Sequence, residues 1–273
     1  MSPKNILNLI YYFFFKKNFY KLRKKIFSIG CSADHNIKSA DLVNSIKKNG
    51  YVIIENFIRK DSCQLIIDQI EKFLITKPEF CWADNEHSDQ RIHGAENLSL
   101  DIFNFFNSKI PIEVGESYHQ EKLQNLMTMA NKTTFVNNNR GSGQGWHRDG
   151  IHSQYKSILY LVDVNEHNGP FQIIQNSNKL KNIIHFCTKY NLDIFNTRIN
   201  NNAVQDYLKN NISELKTIVA KAGTLILVET STIHRGKPML NGTRYALTNY
   251  YYPKILINKY QNNFFPFLKE RLF

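Results

Sequence analysis

The chain has 273 residues, 42% of them hydrophobic, which is enough for one large domain or two small ones with a sizeable buried core. Its four cysteines lie far apart and form no C-x-x-C pair, which argues against a zinc cluster or a small disulfide scaffold and favours the cytoplasm. The formal net charge is +12, but seven positive and no negative charges fall in residues 1–30, so the body of the protein does not resemble a nucleic-acid binder.

The N-terminal segment 1–30 is apolar from Ile6 to Phe15 and then basic and aromatic. Ten apolar residues are too few to cross a bilayer, which takes roughly 20, and a signal peptide would carry its charge before the apolar run. An aromatic, lysine-rich segment can instead lie on an anionic membrane surface, which would place the protein at the inner face of a membrane. A helix packed on the body or a frayed tail is the alternative.

The next elements are a strand and a helix. The stretch NGYVIIENFI (49–58) predicts a short strand entered through Gly50. The following KDSCQLIIDQIEKFL has apolar residues at helical spacing, and we expect Asp61 or Ser62 to cap it. Mixed patterns predict further helices around 99–108 and 119–130.

From about residue 132 the pattern changes to short apolar segments punctuated by Gly and Asn. These segments predict strands, and such a series is typical of a barrel or jelly roll. The predicted strands are TTFVN, GWHRD, SILYLVDV, FQIIQ, TIVA, GTLILVE and RYALTNYYY. A mostly helical insertion, about 178–212, interrupts them.

The stretch GWHRDG (145–150) carries His147 and Asp149 two residues apart. On a strand both side chains would point to one side and supply two ligands of a 2-His-1-carboxylate iron site. A kinase catalytic loop would need Asn at 154, where the chain has Gln, and a serine hydrolase would need a G-x-S-x-G elbow. A zinc site would want more His or Cys nearby, and the third ligand must come from elsewhere.

Near the C-terminus, AGTLILVETSTIHRGKPMLNGTRYALTNYYY (222–252) contains a β-branched strand, His234, a turn and Arg244. With GYVIIENF, WHRD and DVNEHNGPFQIIQNSNK before it, most of the chain resembles the phytanoyl-CoA dioxygenase-like family of Fe(II)/2-oxoglutarate oxygenases. The resemblance rests on the order and spacing of these motifs.

The resemblance implies a mainly β fold with flanking helices, in which residues 31–273 form one dioxygenase domain around a double-stranded β-helix (jelly roll, cupin-like) at about 132–252. It also implies that His147, Asp149 and His234 bind Fe(II), that Arg244 binds 2-oxoglutarate, and that O2 is consumed. Family halogenases replace the carboxylate with a small residue, so Asp149 favours hydroxylation.

The chain departs from the family pattern at two places. Asn176-Ser177-Asn178 stands where the family has G-S-H, and the strand before NGP has Ile158 and Tyr160 where a Trp is common. The 2-oxoglutarate contacts other than Arg244 are therefore open, and the residues we consider for them are Asn137, Asn139, Gln144 and Tyr160.

Several cations are expected near the mouth of the barrel, and they favour a small or lipid-linked anionic substrate, such as a sugar or lipid of the cell envelope or an acyl-CoA. They are Arg148, Arg140, Arg198 and Arg235, joined by Arg91 and Lys237. We expect no nucleic acid as a substrate. The insertion is predicted to cover the iron side and select substrate through Arg198, or else to be a helical buttress. A noncatalytic jelly-roll module that binds a sugar or a partner is the alternative function.

Overall fold

The computed structural model describes residues 1–16, 18, 22, 37–151 and 154–258. Its helices are α1 (Pro3–Tyr11), α2 (Ile37–Asn49), α3 (Lys60–Thr76), α4 (Leu100–Phe106), α5 (Lys109–His119), α6 (Leu180–Lys189) and α7 (Asn201–Lys209). Its strands are β1 (Tyr51–Ile54), β2 (Trp82–Ala83), β3 (Asp89–His93), β4 (Leu123–Thr134), β5 (Tyr155–Tyr160), β6 (Phe171–Ile174), β7 (Leu215–Ile218), β8 (Leu225–Glu229), β9 (Ile233–Gly236) and β10 (Thr243–Pro253).

The strands form two antiparallel sheets. The larger sheet has the order β1-β8-β5-β10-β4-β3-β2, and the smaller one has the order β7-β6-β9. Every paired strand is antiparallel to its neighbours. This arrangement confirms the predicted mainly β fold with flanking helices and a double-stranded β-helix core.

The core lies on both faces of the larger sheet. On one face, Ile66 and Ile70 of α3 pack in the same cluster as Leu227 of β8. On the other, Ile226 of β8 packs with Ile173 of the smaller sheet. Because β8 is covered on both sides, its first four residues, LILV, form a continuous apolar run without alternation.

Two predictions about the N-terminal half are wrong. Residues 119–130 are not a helix: α5 ends at His119, and β4 occupies most of this stretch. Most positions of β4 are buried on both faces, so the period-two pattern of a half-buried strand is missing. Helix α3 begins two or three residues earlier than a cap at Asp61 or Ser62 would place it: its N-cap is Arg59, which makes no side-chain cap hydrogen bond.

The larger sheet also contains strands that lie outside the predicted core of about 132–252. The three N-terminal strands β1, β2 and β3 extend it at both edges, and β4 starts at Leu123. The insertion forms α6 and α7 between β6 and β7, in agreement with its mostly helical pattern.

The N-terminal segment begins with α1, which continues as a π-helical turn at Tyr12–Lys16. Tyr12 packs on the insertion beside Ile183 and Ile194, so this part of the segment is a helix packed on the body. The rest of residues 1–30, apart from positions 18 and 22, and the predicted boundary between residues 30 and 31 lie outside the described residues. Within the described part of the chain, no helix has the length and apolar character that crossing a bilayer requires.

Candidate active site

The three predicted metal ligands converge. His147, Asp149 and His234 each offer one ligand atom, and these atoms lie within 4.8 Å of one another. His234 lies on β9, whereas the predicted strand GWHRD is a loop in which His147 forms isolated bridges with His234 and with Arg198. The loop segment is nevertheless extended enough for the side chains of residues 147 and 149 to reach the same site.

Both histidine rings are oriented by main-chain carbonyls. Nδ1 of His147 lies 2.9 Å from the oxygen of Gly145, and Nδ1 of His234 lies 2.9 Å from the oxygen of Thr232. A ring that donates from Nδ1 presents the lone pair of Nε2 to a metal. Burial and the neighbouring His234 lower the pKa of His147 to about 3, and burial lowers the pKa of His234, so both rings are neutral at pH 7.

The third ligand forms a buried ion pair that the sequence analysis missed. Nζ of Lys156, on β5, lies 2.7 Å from Oδ2 of Asp149 and 4.2 Å from the ring centre of Tyr250. Burial alone would raise the pKa of Asp149, but the Lys156 ammonium holds it well below its ordinary value. A signal was available: Lys156 lies two residues before Ile158 on the same strand and therefore shares its face.

This donor set fits Fe(II). Two neutral imidazoles and one ionised carboxylate on one side of an ion leave the opposite positions open for a cosubstrate and O2. All three ligands are already deprotonated at neutral pH, which metal binding requires.

The three ligands share a cavity of about 260 Å³ with five cationic side chains. The cations are Arg91, Arg148, Lys156, Arg198 and Arg244. The rest of the lining comes mainly from one face each of β4, β5 and β10, where alternate residues point inward. Examples are Met129 and Asn131 on β4 and Ala246 and Thr248 on β10, none of which the sequence analysis identified.

Arg244 reaches this cavity from β10, as predicted. Its Nη1 donates to the main-chain oxygen of Gly169, and its Nη2 lies 3.3 Å from Oδ1 of Asn131 and 3.4 Å from Oγ1 of Thr133. Its Nε is buried and has no hydrogen-bond partner among the described residues. The bonds of Nη1 and Nη2 therefore fix the orientation of the guanidinium, while the Nε–H makes no hydrogen bond to the described residues.

Tyr160 also lines the cavity, and its hydroxyl accepts a hydrogen bond from the N–H of Phe171 at 2.8 Å and donates to Ile218. Asn137 and Gln144 do not line the cavity. Asn137 is exposed in the loop after β4, and the Gln144 amide donates to Asp84 instead. Of these three residues, only Tyr160 lines the cavity.

Asn139, considered with them, is a loop residue. Its amide donates to the oxygen of Met239 and accepts from the N–H of the same residue, both at 2.8 Å. These bonds hold the loop after β4 against the loop after β9.

The predicted substrate cations divide into two groups. Arg148 and Arg198 line the cavity, whereas Arg140 and Arg235 do not. Arg140 is exposed, and the Arg235 guanidinium lies 4.2 Å from the ring centre of Trp146 and donates to Gln172. Lys237 pairs with Glu166 at 2.9 Å, away from the cavity.

Part of the insertion lies beside the cavity. Thr197 accepts a main-chain hydrogen bond from Arg148 at 2.9 Å, and Ile199 donates to Trp146 at 3.0 Å. Nη1 of Arg198 donates to the main-chain oxygen of Gly143. Residues 197–199 therefore pair with the loop that carries His147, while α6 and α7 pack behind them.

The unusual turn at Asn176-Ser177-Asn178 positions β9. Asn176 has a φ of 63°, the left-handed region that a Gly adopts freely and Asn tolerates. The buried Ser177 hydroxyl accepts a hydrogen bond from the N–H of Ile233 at 2.6 Å, one residue before His234. This departure from G-S-H leaves the metal ligand in place.

Comparison with known proteins agrees with this geometry. The family model for phytanoyl-CoA dioxygenase matches residues 46–244, which include all three metal ligands and Arg244. The chain belongs to the phytanoyl-CoA dioxygenase family. A search of curated protein sequences gave no match.

Solved structures share the fold of this family member at low sequence identity. The epimerase SnoN, solved with Fe3+, alpha ketoglutarate and nogalamycin RO, is 13% identical, with a TM-score of 0.60 over 79% of this chain and 84% of that one. HygX from Streptomyces hygroscopicus, solved with nickel, 2-oxoglutarate and hygromycin B, is 12% identical, with a TM-score of 0.58 over 78% and 87%. EctD from S. alaskensis is 13% identical, with a TM-score of 0.59 over 82% and 79%.

Family membership and the converged ligands together define the enzyme class. The chain is a 2-oxoglutarate-dependent oxygenase with the facial triad His147, Asp149 and His234. Its cofactor is Fe(II), and it uses 2-oxoglutarate and O2 together with a small-molecule substrate.

Proposed function

We propose that this oxygenase hydroxylates a small or lipid-linked anionic molecule, such as a sugar or lipid of the cell envelope or an acyl-CoA. The observation that carries the proposal is the lining of the cavity: five cationic side chains face it beside the triad. A cavity of this charge attracts anions and orients them near the metal.

Three of the five cations have an assigned partner. Lys156 pairs with Asp149, and Arg91 forms a two-point salt bridge with Asp89. Arg244 is proposed to bind the distal carboxylate of 2-oxoglutarate, because its planar fork suits a carboxylate and its Nε is unused.

The other two cations are proposed to bind the substrate. Nε and Nη1 of Arg148 are buried without a hydrogen-bond partner among the described residues. Arg198 donates only to main-chain oxygens within that part of the chain. Arg198 is exposed at the cavity and can contact an anionic group of the substrate directly. A buried guanidinium without a partner is costly, so an anion would also stabilise Arg148, whose Nε and Nη1 would have to turn toward the cavity to meet it.

The size of the cavity limits what enters it. At about 260 Å³ it lies just below the range of typical ligand pockets, roughly 300–1,000 Å³. It therefore suits 2-oxoglutarate and the reacting part of a substrate, and the bulk of a lipid or an acyl-CoA would remain outside.

The residues around the metal have separate tasks. Bound Fe(II) supplies oxidative chemistry in which 2-oxoglutarate and O2 give succinate and CO2 while a substrate C–H bond becomes C–OH. Main-chain carbonyls hold both histidine rings in the ligating tautomer. Lys156 keeps Asp149 ionised and fixes its carboxylate. Tyr160, held by Phe171 and Ile218, forms a wall of the cosubstrate side.

The location we propose is the cytoplasm, with peripheral contact to the inner face of a membrane through residues 1–30. The scattered cysteines support a reducing compartment, and Cys63 and Cys187 are free thiols. The seven basic residues of the N-terminal segment support contact with an anionic surface.

Succinate release tests the activity. The protein is incubated with Fe(II), 2-oxoglutarate, O2 and a panel of sugar phosphates, sugar acids, anionic lipids, acyl-CoAs and neutral sugars. We expect one anionic class to raise succinate release well above the rate without substrate, with one hydroxyl added per succinate. Stimulation by neutral sugars alone would contradict the anionic substrate, and stimulation with no hydroxylated product would contradict hydroxylation.

A further inference from the structure

Helix α1, with the turn after it, has apolar side chains on two sides: Leu9, Tyr12 and Phe13 pack on the insertion, and a second apolar group faces outward. The side it packs against the body carries Asn5 and Asn8: Nδ2 of Asn5 lies 3.0 Å from the oxygen of Asn191, and Nδ2 of Asn8 lies 2.7 Å from Oδ2 of Asp193. A surface helix normally buries its apolar side and exposes its polar one.

The outward side of α1 and the turn after it is apolar. Five large apolar side chains are between 42% and 68% exposed there, namely Ile6, Leu7, Ile10, Phe14 and Phe15. Single exposed apolar residues are ordinary, but a group of five on one short element marks a surface that contacts something else.

The charge of the sequence around this surface favours an anionic partner. Lys4 and Lys16 lie on the described part of the element, and residues 17–25 add five more basic residues with no acidic one. A second copy of the chain would bring two such cationic segments together, which is unfavourable. An anionic bilayer satisfies both features at once, since its headgroups attract the lysines and its acyl boundary accepts the apolar side chains.

The surface is physically joined to the candidate active site. Tyr12 and Phe195 pack in one cluster, and Nζ of Lys16 lies 4.9 Å from the ring centre of Phe195. Two residues further along the insertion, Thr197 and Arg198 line the cavity. The element that exposes the apolar side chains therefore rests on the same segment that pairs with the loop carrying His147.

We propose that α1 and the turn after it dock on an anionic membrane surface through Ile6, Leu7, Ile10, Phe14 and Phe15, and that this docking presents the cavity to a membrane-borne anionic substrate. The assignment of the substrate rests on the proposed function, whereas the docking surface stands on its own contacts.

Vesicle co-sedimentation of the full chain tests the docking. The wild type is expected to bind vesicles of equal parts phosphatidylcholine and phosphatidylglycerol, and to bind phosphatidylcholine alone far more weakly. The triple variant Leu7→Ser, Ile10→Ser, Phe14→Ser should partition roughly a hundredfold less, because three inserted side chains are lost. The matched control Ile75→Ser, Leu100→Ser removes side chains that are 74% and 79% exposed on other helices and should bind like the wild type.

A gain-of-signal variant covers the case in which the triple variant misfolds. In Phe14→Trp, the indole emission should shift to shorter wavelength on adding the mixed vesicles, and brominated lipid should quench it. The proposal would be overturned if the wild-type protein did not bind anionic vesicles, or if the triple variant bound them as well as the wild type does. A dimer that the triple variant converts to monomer, without vesicle binding by the wild type, would assign the surface to a second copy instead.

The two proposals fail separately. If no substrate raises succinate release but the vesicle results hold, the proposed function is wrong and the docking surface remains. If the triple variant releases succinate normally with a water-soluble anionic substrate and the wild type does not bind vesicles, only the docking surface is wrong.

Discussion

The main chains of His147 and His234 hydrogen-bond to each other in both directions. The N–H of His147 lies 2.9 Å from the oxygen of His234, and the N–H of His234 lies 2.7 Å from the oxygen of His147. This pairing brings the two ring centres to 4.3 Å. Two ligands that are far apart in sequence are thus placed by the backbone, and the metal site is largely formed before a metal binds.

Space around His147 should control metal affinity. A Cβ at Gly143 would lie 2.4 Å from Cε1 of His147, whereas a Cβ at Gly145 would have nothing within 4 Å. Both glycines have positive φ, so Gly143→Ala and Gly145→Ala should each lose roughly 1 kcal/mol of stability. Only Gly143→Ala should also weaken metal binding, by about ten- to a hundredfold, because it displaces the ring. Anaerobic titration calorimetry with Fe(II) measures the difference, and equal affinities in the two variants would contradict it.

The Asp149–Lys156 pair should matter to stability as well as to catalysis. Asp149→Ala should abolish 2-oxoglutarate turnover and also leave the Lys156 ammonium buried without its carboxylate, at a cost of about 3 kcal/mol in the free energy of unfolding of the metal-free protein. Adding Lys156→Met should recover most of that stability and none of the turnover. Urea denaturation of the two single variants and the double variant measures this, and additive losses would mean that the pair is not coupled.

The sequence predicted the fold class and the three metal ligands because these rest on short-range patterns. The first four residues of strand β8 form an unbroken apolar run, the ligands His147 and Asp149 are two residues apart, and the family motifs supplied His234. The spacing of apolar residues also predicted helices that have one face in solvent, such as α3.

The remaining errors come from long-range packing. Strand β4 is covered on both sides, so its polar residues Asn125 and Asn131 face buried partners and obscure the strand pattern. Asn137 and Gln144 lie within ten residues of His147 in the sequence, but Asn137 is exposed in the loop and the Gln144 amide donates to Asp84. The strand pattern could have placed Lys156 on the inward face beside Ile158, but its pairing with Asp149 joins two separate segments and follows only from the fold.

Arg244 should determine the affinity for 2-oxoglutarate and leave iron binding unchanged. Arg244→Met removes the proposed partner of the distal carboxylate and should raise the KM for 2-oxoglutarate by about a hundredfold, consistent with roughly 3 kcal/mol for a buried charge-assisted pair. Arg244→Lys keeps the charge, loses the fork and should fall in between.

Lys237→Met is the control for this prediction, since Lys237 is a nearby cation that pairs with Glu166 outside the cavity. Its KM for 2-oxoglutarate should equal that of the wild type. The assignment of Arg244 is wrong if the KM of Arg244→Met stays within about twofold of the wild type while Fe(II) binds normally.

Arg198 should determine the KM for the substrate and leave the KM for 2-oxoglutarate unchanged. A deletion of residues 190–202 would be a poor test, because Thr197 and Ile199 supply main-chain partners to the loop that carries His147. Arg198→Gln keeps the main chain intact and removes the guanidinium, with its charge and its hydrogen bond to Gly143. With the best substrate from the anionic panel, it should raise the substrate KM by about tenfold, typical of one partly exposed charge-assisted contact, while the KM for 2-oxoglutarate stays constant.

Lys209→Gln at the end of α7 is the charge-matched control, since its side chain is 73% exposed and pairs with Asp206. Equal substrate KM values for Arg198→Gln and the wild type would remove the insertion from substrate selection and leave it as a helical buttress.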